Sequence, residues 1–340
     1  MAILKCNMCG GTLMYDRAQN LAICPYCSSK STVYEQDRKL FEQFQDMFHA
    51  LLGQEGKENL QEGFWVEASQ EELLREDGEV ITIDYLTRQK VDICTMYVAR
   101  KHVIYVFAKE YEAYVNRYKE MIGKLEYPNP EMEKELQGYL PKLVTECRLK
   151  DGSFFLAIEK KEDVYPLRML GTLVDRHVAW IVSRLENLCC VLQYNGMVLN
   201  ALVEDNLFVD PANHQLYLYG GWWFAGYEGS ESVGASKAVL PLMEKKGQAY
   251  RNTYKADLES LRMVAIRLLG YEGRDAIQES TVLPKAFLEF LLQSPKKDAM
   301  ADFAEWDRVL EKAYGERKFI PLDITKEEIY SRTIKTEEEI

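Results

Sequence analysis

The sequence predicts an α+β protein behind a small cysteine-rich module, and three observations predict it. Two C-x-x-C pairs stand within the first 27 residues. β-Branched and aromatic residues dominate between residues 64 and 107. Apolar residues at three- and four-residue spacings take over from His177 onward. At 340 residues the chain has room for one large domain and one small one.

The cysteine pairs come first. Cys6-Asn7-Met8-Cys9 and Cys24-Pro25-Tyr26-Cys27 are separated by fourteen residues, close to the spacing of a four-cysteine zinc site. Each pair supplies two thiolates, so Cys6, Cys9, Cys24 and Cys27 complete a tetrahedral S₄ set for Zn²⁺. Such a set has no open coordination position, and the ion is expected to be structural. Gly10 and Gly11 suit the turn that aims backbone amides at sulfur. Thr12 to Tyr15, Leu21 to Ile23 and Ser28 to Val33 read as short strands, so residues 1–34 are expected to form a zinc ribbon. Taken alone, Cys24-Pro25-Tyr26-Cys27 resembles the glutaredoxin active-site motif. A redox motif should open a helix after a strand, and here a second C-x-x-C stands close by. Cys94, Cys147, Cys189 and Cys190 are scattered and do not form a disulfide framework; the adjacent Cys189 and Cys190 fit a buried helix as small hydrophobes.

Residues 35–62 are expected to be a linker. Leu40, Phe41, Phe44, Met47, Phe48 and Leu51 give Tyr34 to Leu52 one apolar helical face, closed by Gly53. Glu79 to Tyr85 and Cys94 to Phe107 read as strands of an antiparallel sheet. Lys109 to Leu125 reads as a helix, Pro128-Asn129-Pro130 as a turn, and Phe154 to Ile158 as a further strand. Helices follow at His177 to Tyr194, with Asp175 as its cap, through Leu261, Val264 and Leu268 to Gly270, and at Ala299 to Tyr314. His177 is a packing or capping residue in this reading.

The order of sheet, hinge and long helices resembles a protein kinase, and local segments carry the resemblance. Leu192 to Asp210 is similar to the catalytic loop and the helix end before it. In that register Leu199-Asn200-Ala201 stands at the His-Arg-Asp triplet, Val203 at the catalytic-loop lysine, and Asn206 keeps the metal-binding asparagine. The Asp-Phe-Gly triplet falls on Tyr219-Gly220-Gly221. Val106 takes the strand lysine, with Lys109 the nearest substitute, and Tyr118 takes the helix glutamate, with Glu120 nearby. Residues 76–95 contain only Gly78, so no glycine-rich phosphate loop precedes these strands. Asp257 resembles the aspartate that opens the central helix and hydrogen-bonds the catalytic-loop backbone. The resemblance implies a two-lobed protein-kinase-like domain, with an N-lobe over 63–160, a helical C-lobe over 161–320 and a tail over 321–340.

It also implies a pseudokinase. Ala201 offers no carboxylate to accept a substrate proton, and Asn206 alone is a poor ligand set for nucleotide-bound Mg²⁺. ATP is therefore not expected, and a binding or scaffolding role with protein partners is. Two alternatives stand beside it. An unconventional phosphoryl or nucleotidyl transferase would turn Glu204 and Asp205 into the cleft. Nucleic-acid recruitment by the ribbon would rest on Lys5, Arg17 and Lys30 against Asp16. Gly220-Gly221-Trp222-Trp223-Phe224-Ala225 reads either as an aromatic plug in an emptied cleft or as a partner hot spot, and Gly226 to Ser236 stands at the activation segment. The net charge of -12 argues against broad phosphate-backbone binding, and no apolar run spans a bilayer. With no signal-peptide core after Met1, the expected location is cytoplasmic.

Overall fold

The computed structural model describes residues 14–16, 21–24, 27, 29–32, 68–315, 322, 324 and 329. The first sheet is three-stranded and antiparallel: β1 (Met14–Asp16), β2 (Leu21–Ile23) and β3 (Lys30–Thr32) pair in sequence order. Cys24 follows β2, is buried, and donates its N–H to Ser29 O at 2.9 Å. Cys6, Cys9 and the Tyr34 to Leu52 helix lie outside the described residues.

The large sheet has six antiparallel strands: β4 (Ser69–Leu74), β5 (Val80–Val91), β6 (Cys94–Ala99), β7 (His102–Phe107), β8 (Leu143–Arg148) and β9 (Phe154–Glu159). Their order is β4-β5-β6-β7-β9-β8. The sheet curls until its two ends meet: Lys150 N donates to Leu74 O (2.9 Å) and Glu76 N to Arg148 O (3.1 Å). Strand alternation sends Ile83, Tyr85, Tyr97, Ile104, Phe155 and Ala157 into the curl, where Val106 joins them. The alternate residues Met96, Val98, Val103, Tyr105, Phe107, Leu156 and Ile158 face the main core. A bulge between Tyr85 and Thr87 changes the register of β5 before its tight turn at Asp92.

A short 3₁₀ turn, Lys109–Tyr111, leads into α1 (Glu112–Gly123), which buries Val115, Tyr118 and Met121 against the sheet. The expected Pro128-Asn129-Pro130 turn is in fact the start of a helix. Asn129 caps α2 (Pro130–Leu136) by accepting from Met132 N at 2.8 Å, with Pro130 in the first turn, where its missing N–H costs nothing.

Past β10 (Tyr165–Pro166) the chain is mostly helical. The central α3 (Asp175–Tyr194) buries Val178, Ile181, Leu185, Leu188 and Leu192, as its periodicity predicts. Its start corrects the sequence reading. Val174 is the N-cap residue and no side chain caps the helix, because the Asp175 carboxylate accepts from Tyr314 OH at 3.0 Å instead. Next come β11 (Met197–Val198), β12 (Leu207–Asp210), β13 (Gln215–Leu218), β14 (Gly226–Tyr227), β15 (Glu244–Lys246) and β16 (Ala249–Arg251). β10, β12 and β13 form one small sheet, β11 pairs with β14, and β15 with β16. α4 (Tyr254–Leu268), α5 (Arg274–Gln278), α6 (Lys285–Leu292) and α7 (Ala299–Tyr314) close the core. Between α4 and α7 the fully buried Arg262 guanidinium meets Asp302 at 2.8 Å and lies over the Phe290 ring. Lone burial of either charge would be costly, so the pair ties these helices together.

Candidate functional site: the cleft between sheet and helices

The cleft is built on one carboxylate. Asp257, in the first turn of α4, is buried, and its oxygens accept from Leu199 N (2.7 Å) and Asn200 N (2.9 Å). These bonds fix the loop after β11 in a conformation that places Asn200 at a φ of 59°. Asparagine tolerates that region because its side chain finds local partners. Here Asn200 Nδ2 donates to Asn252 Oδ1 (2.7 Å) and Phe224 O (3.2 Å). Asn206 Nδ2 closes the loop on Ala201 O at 2.9 Å.

Three consecutive aromatic residues follow that loop, and one of them, Trp223, reaches the sheet. Tyr219-Gly220-Gly221 leads into a 3₁₀ turn, Trp222–Phe224, whose side chains are all buried. The glycines are a steric requirement. A Cβ on Gly220 would overlap Asn206 Oδ1, and one on Gly221, at a φ of 84°, would press on Ala201 Cβ. The approach lets Trp223 stack on Tyr118 of α1 (centroids 6.0 Å) and meet Tyr105 (5.3 Å) and Phe107 (5.5 Å) of β7 edge-on. Tyr118 OH donates to Tyr219 O at 2.6 Å, so α1 is bonded as well as packed to this segment. The Trp-rich stretch is thus a buried plug.

The tight turn between β5 and β6 enters from above. Asp92, at a φ of 49°, accepts from Ser236 Oγ (2.8 Å) and Asn206 Nδ2 (3.3 Å). Burial pushes its pKa up, while the donors of Ser236, Asn206 and Trp223 around it pull the other way. One carboxylate therefore joins the sheet, the Asn206 loop and the end of the Gly226 to Ser236 segment. That segment is itself tied down: Tyr114 OH donates to Val233 O (3.1 Å), Asn252 Nδ2 to Ser230 Oγ (2.8 Å), and just before it Arg117 donates to Ala225 O (3.0 Å).

At the rear, Lys160 follows β9 and is buried. Its ammonium donates to the carbonyls of Arg100 (3.0 Å), Lys161 (3.0 Å) and Glu162 (3.3 Å), and burial pulls its pKa down to about 7. It clasps the β6–β7 turn to the strand that leaves the sheet.

No protein-family model and no curated protein sequence matches the chain. The solved structure of vaccinia related kinase 3 matches it with a TM-score of 0.51 at 15% identity, over 78% of this chain and 99% of that one. The fold is kinase-like.

The structure places most of the residues singled out in the sequence among its described part. Asp257 holds the loop backbone as expected. Tyr118 occupies the helix position facing β7, as expected. Val106 is corrected: it points into the curl, and Tyr105 is the residue that faces Tyr118. Strand alternation decides this, and a register error of one residue reverses it. Lys109 is exposed and packs its stem over Gly152, and Glu120 pairs with Lys124 at 2.5 Å on the surface. Glu204 accepts from Arg267 (2.5 and 2.8 Å) and Asp205 meets Arg168 at 3.2 Å. His177 is buried near His214, which stacks on Trp180 at 4.6 Å. Of the predicted metal ligands, Cys24 and Cys27 are described; Cys27 Sγ stands 3.2 Å from Ser29 Oγ. Among the described residues no group of three or more His, Cys, Asp or Glu side chains converges on a metal position. No helix among them is long and apolar enough to cross a membrane.

Proposed function

We propose that the chain is a catalytically inactive, kinase-like binding or scaffolding protein. The observation that carries this reading is the Asp92 carboxylate. The turn that would cover nucleotide phosphates instead delivers an anion of its own to Asn206 and Ser236. A phosphate brought beside it would meet like charge in a confined site. Beneath it Trp223, Tyr105 and Tyr118 fill the space where a lysine–glutamate pair would orient phosphates. Ala201 and Tyr219-Gly220-Gly221 supply no carboxylate for a proton or for Mg²⁺. The transferase alternative needs Glu204 and Asp205 free to hold a metal or a proton, and both are paired with arginines, Arg267 and Arg168.

The N-terminal module is proposed to hold one structural Zn²⁺ through Cys6, Cys9, Cys24 and Cys27. The described half of that set fits: Cys24 follows a strand in a buried position, and Cys27 comes one turn later. Bound zinc would supply folding free energy rather than chemistry. The partners are proposed to be proteins, and the location cytoplasmic.

A thermal-shift titration of the zinc-loaded chain with ATP, alone and with Mg²⁺ or Mn²⁺, tests the reading. No shift is expected. A bound nucleotide would stabilise the fold by about 2.7 kcal/mol at a hundredfold excess over its dissociation constant, and a metal-dependent shift of that size would overturn the proposal.

A further inference from the structure

The β15–β16 hairpin stands out from an otherwise acidic chain. Residues 237–255 carry Lys237, Lys245, Lys246, Arg251 and Lys255 against one acid of their own, Glu244, in a chain of net charge -12; Glu228 and Glu231 come to the β16 side, where Glu231 bridges Arg251. Lys237, Lys245, Lys246 and Lys255 are exposed, and none has a carboxylate within ion-pair distance among the described residues. They stand around one small core, in which Val239, Met243 and Ala256 pack with Val203 and Tyr250 covers them. Lys245 is held over the Tyr250 ring at 4.6 Å. The positive charge is therefore mounted on a fixed base.

The hairpin has one used edge and one open edge. On the β16 side the chain of Ser230 to Ser232 runs alongside: Asn252 N donates to Ser230 O (3.0 Å) and Ser232 N to Tyr250 O (2.9 Å). Because Tyr250 turns its carbonyl to that outer edge, its cross-strand partner Lys245 turns its own N–H and C=O outward on the other side. No backbone bond among the described residues reaches that side of β15, and all three of its residues are exposed. An open strand edge pairs with an extended chain through main-chain bonds, and lysines along it reject apolar and basic strands. Carboxylates are the side chains that such an edge accepts.

We propose that the β15 edge, with Lys237, Lys245, Lys246 and Lys255 around it, docks an extended acidic peptide segment of a partner protein. The strand edge selects a polypeptide over a nucleic acid, because a sugar-phosphate chain cannot continue the ladder.

The experiment uses the full-length zinc-loaded protein and fluorescence anisotropy of a labelled peptide of alternating glutamate and threonine. Comparison probes are the same peptide with prolines in place of the threonines and a labelled oligothymidylate. The acidic peptide is expected to bind at low salt and to weaken steeply as salt rises. Lys245→Gln/Lys246→Gln should weaken it by about tenfold or more at unchanged melting temperature, whereas Lys134→Gln/Lys297→Gln, placed elsewhere on the surface, should leave it unchanged. The proline peptide should bind much more weakly, since it cannot donate to the edge. Absence of peptide binding, indifference to the Lys245/Lys246 variant, or equal binding of the proline peptide would each overturn the proposal. So would oligothymidylate competing at equal concentration, which would make the patch a nucleic-acid site.

Discussion

Replacing Asp257 by alanine strikes the one side chain on which the cleft loop hangs. Its two oxygens accept the N–H groups of Leu199 and Asn200, and all of these residues are buried. The alanine leaves two buried backbone donors unpaired, each costing about 1–3 kcal/mol, so the loss should be about 2–6 kcal/mol. That is a large share of the roughly 5–15 kcal/mol that holds a domain folded. Asp257→Asn keeps one acceptor and turns an amide donor toward the other N–H, so it should fall between wild type and alanine. Urea unfolding measures the change as a lower midpoint at an unaltered m-value. Hydrogen exchange of the Leu199 and Asn200 amides should accelerate in step, because the same bonds protect both. A loss below about 1 kcal/mol with both amides still protected would refute the reasoning, since the bonds would then be contributing less than a single ordinary hydrogen bond.

Further expectations concern the core, the plug and the metal. Glu186, buried on α3 beside Asp302 and Arg262, has its pKa raised to about 9, chiefly by burial and then by Asp302, with Arg262 opposing. The folded form keeps a proton that the unfolded chain has lost, so the contribution of Glu186 to stability is fullest below about pH 4.5 and declines toward pH 9, by at most about 1.4 kcal/mol per pH unit. Glu186→Gln should flatten that decline in melts across this range; an unchanged slope would mean that Glu186 does not carry the proton. Trp223→Ala empties a fully buried position touching Tyr105, Phe107 and Tyr118 and should cost about 3–5 kcal/mol in the same urea assay. A cost under about 1 kcal/mol would contradict a packed plug. Metal analysis should find about one zinc per chain, and Cys24→Ser should release it; a metal-free wild-type chain would remove the ribbon from the account.

The elements were legible where local pattern decides them. β-Branched and aromatic runs marked β6, β7 and β9, helical spacing marked α3 and α7, and the resemblance of the segment around Asp257 to the start of a kinase central helix singled out the residue that anchors the cleft loop. Asp92 was not legible. Its partners lie 114 and 144 residues away in sequence, and nothing in a two-residue turn says which way its carboxylate points. The Lys160 clasp escaped for a related reason: all three acceptors are main-chain carbonyls, which carry no residue signature. The Val106 assignment failed by one residue because the strand is apolar on both faces, so alternation gave no polarity with which to fix the register. Asp175 looked like a cap because it precedes a helical run, and its long-range bond to Tyr314 outcompetes that local role.

The central claim is that the cleft is closed by its own side chains, and isothermal titration of the zinc-loaded, full-length protein with ATP and Mg²⁺ tests it most directly. The account predicts only heats of dilution up to millimolar nucleotide, where the binding free energy would be about -4 kcal/mol or weaker. A saturating, Mg²⁺-dependent isotherm with one site per chain would contradict it.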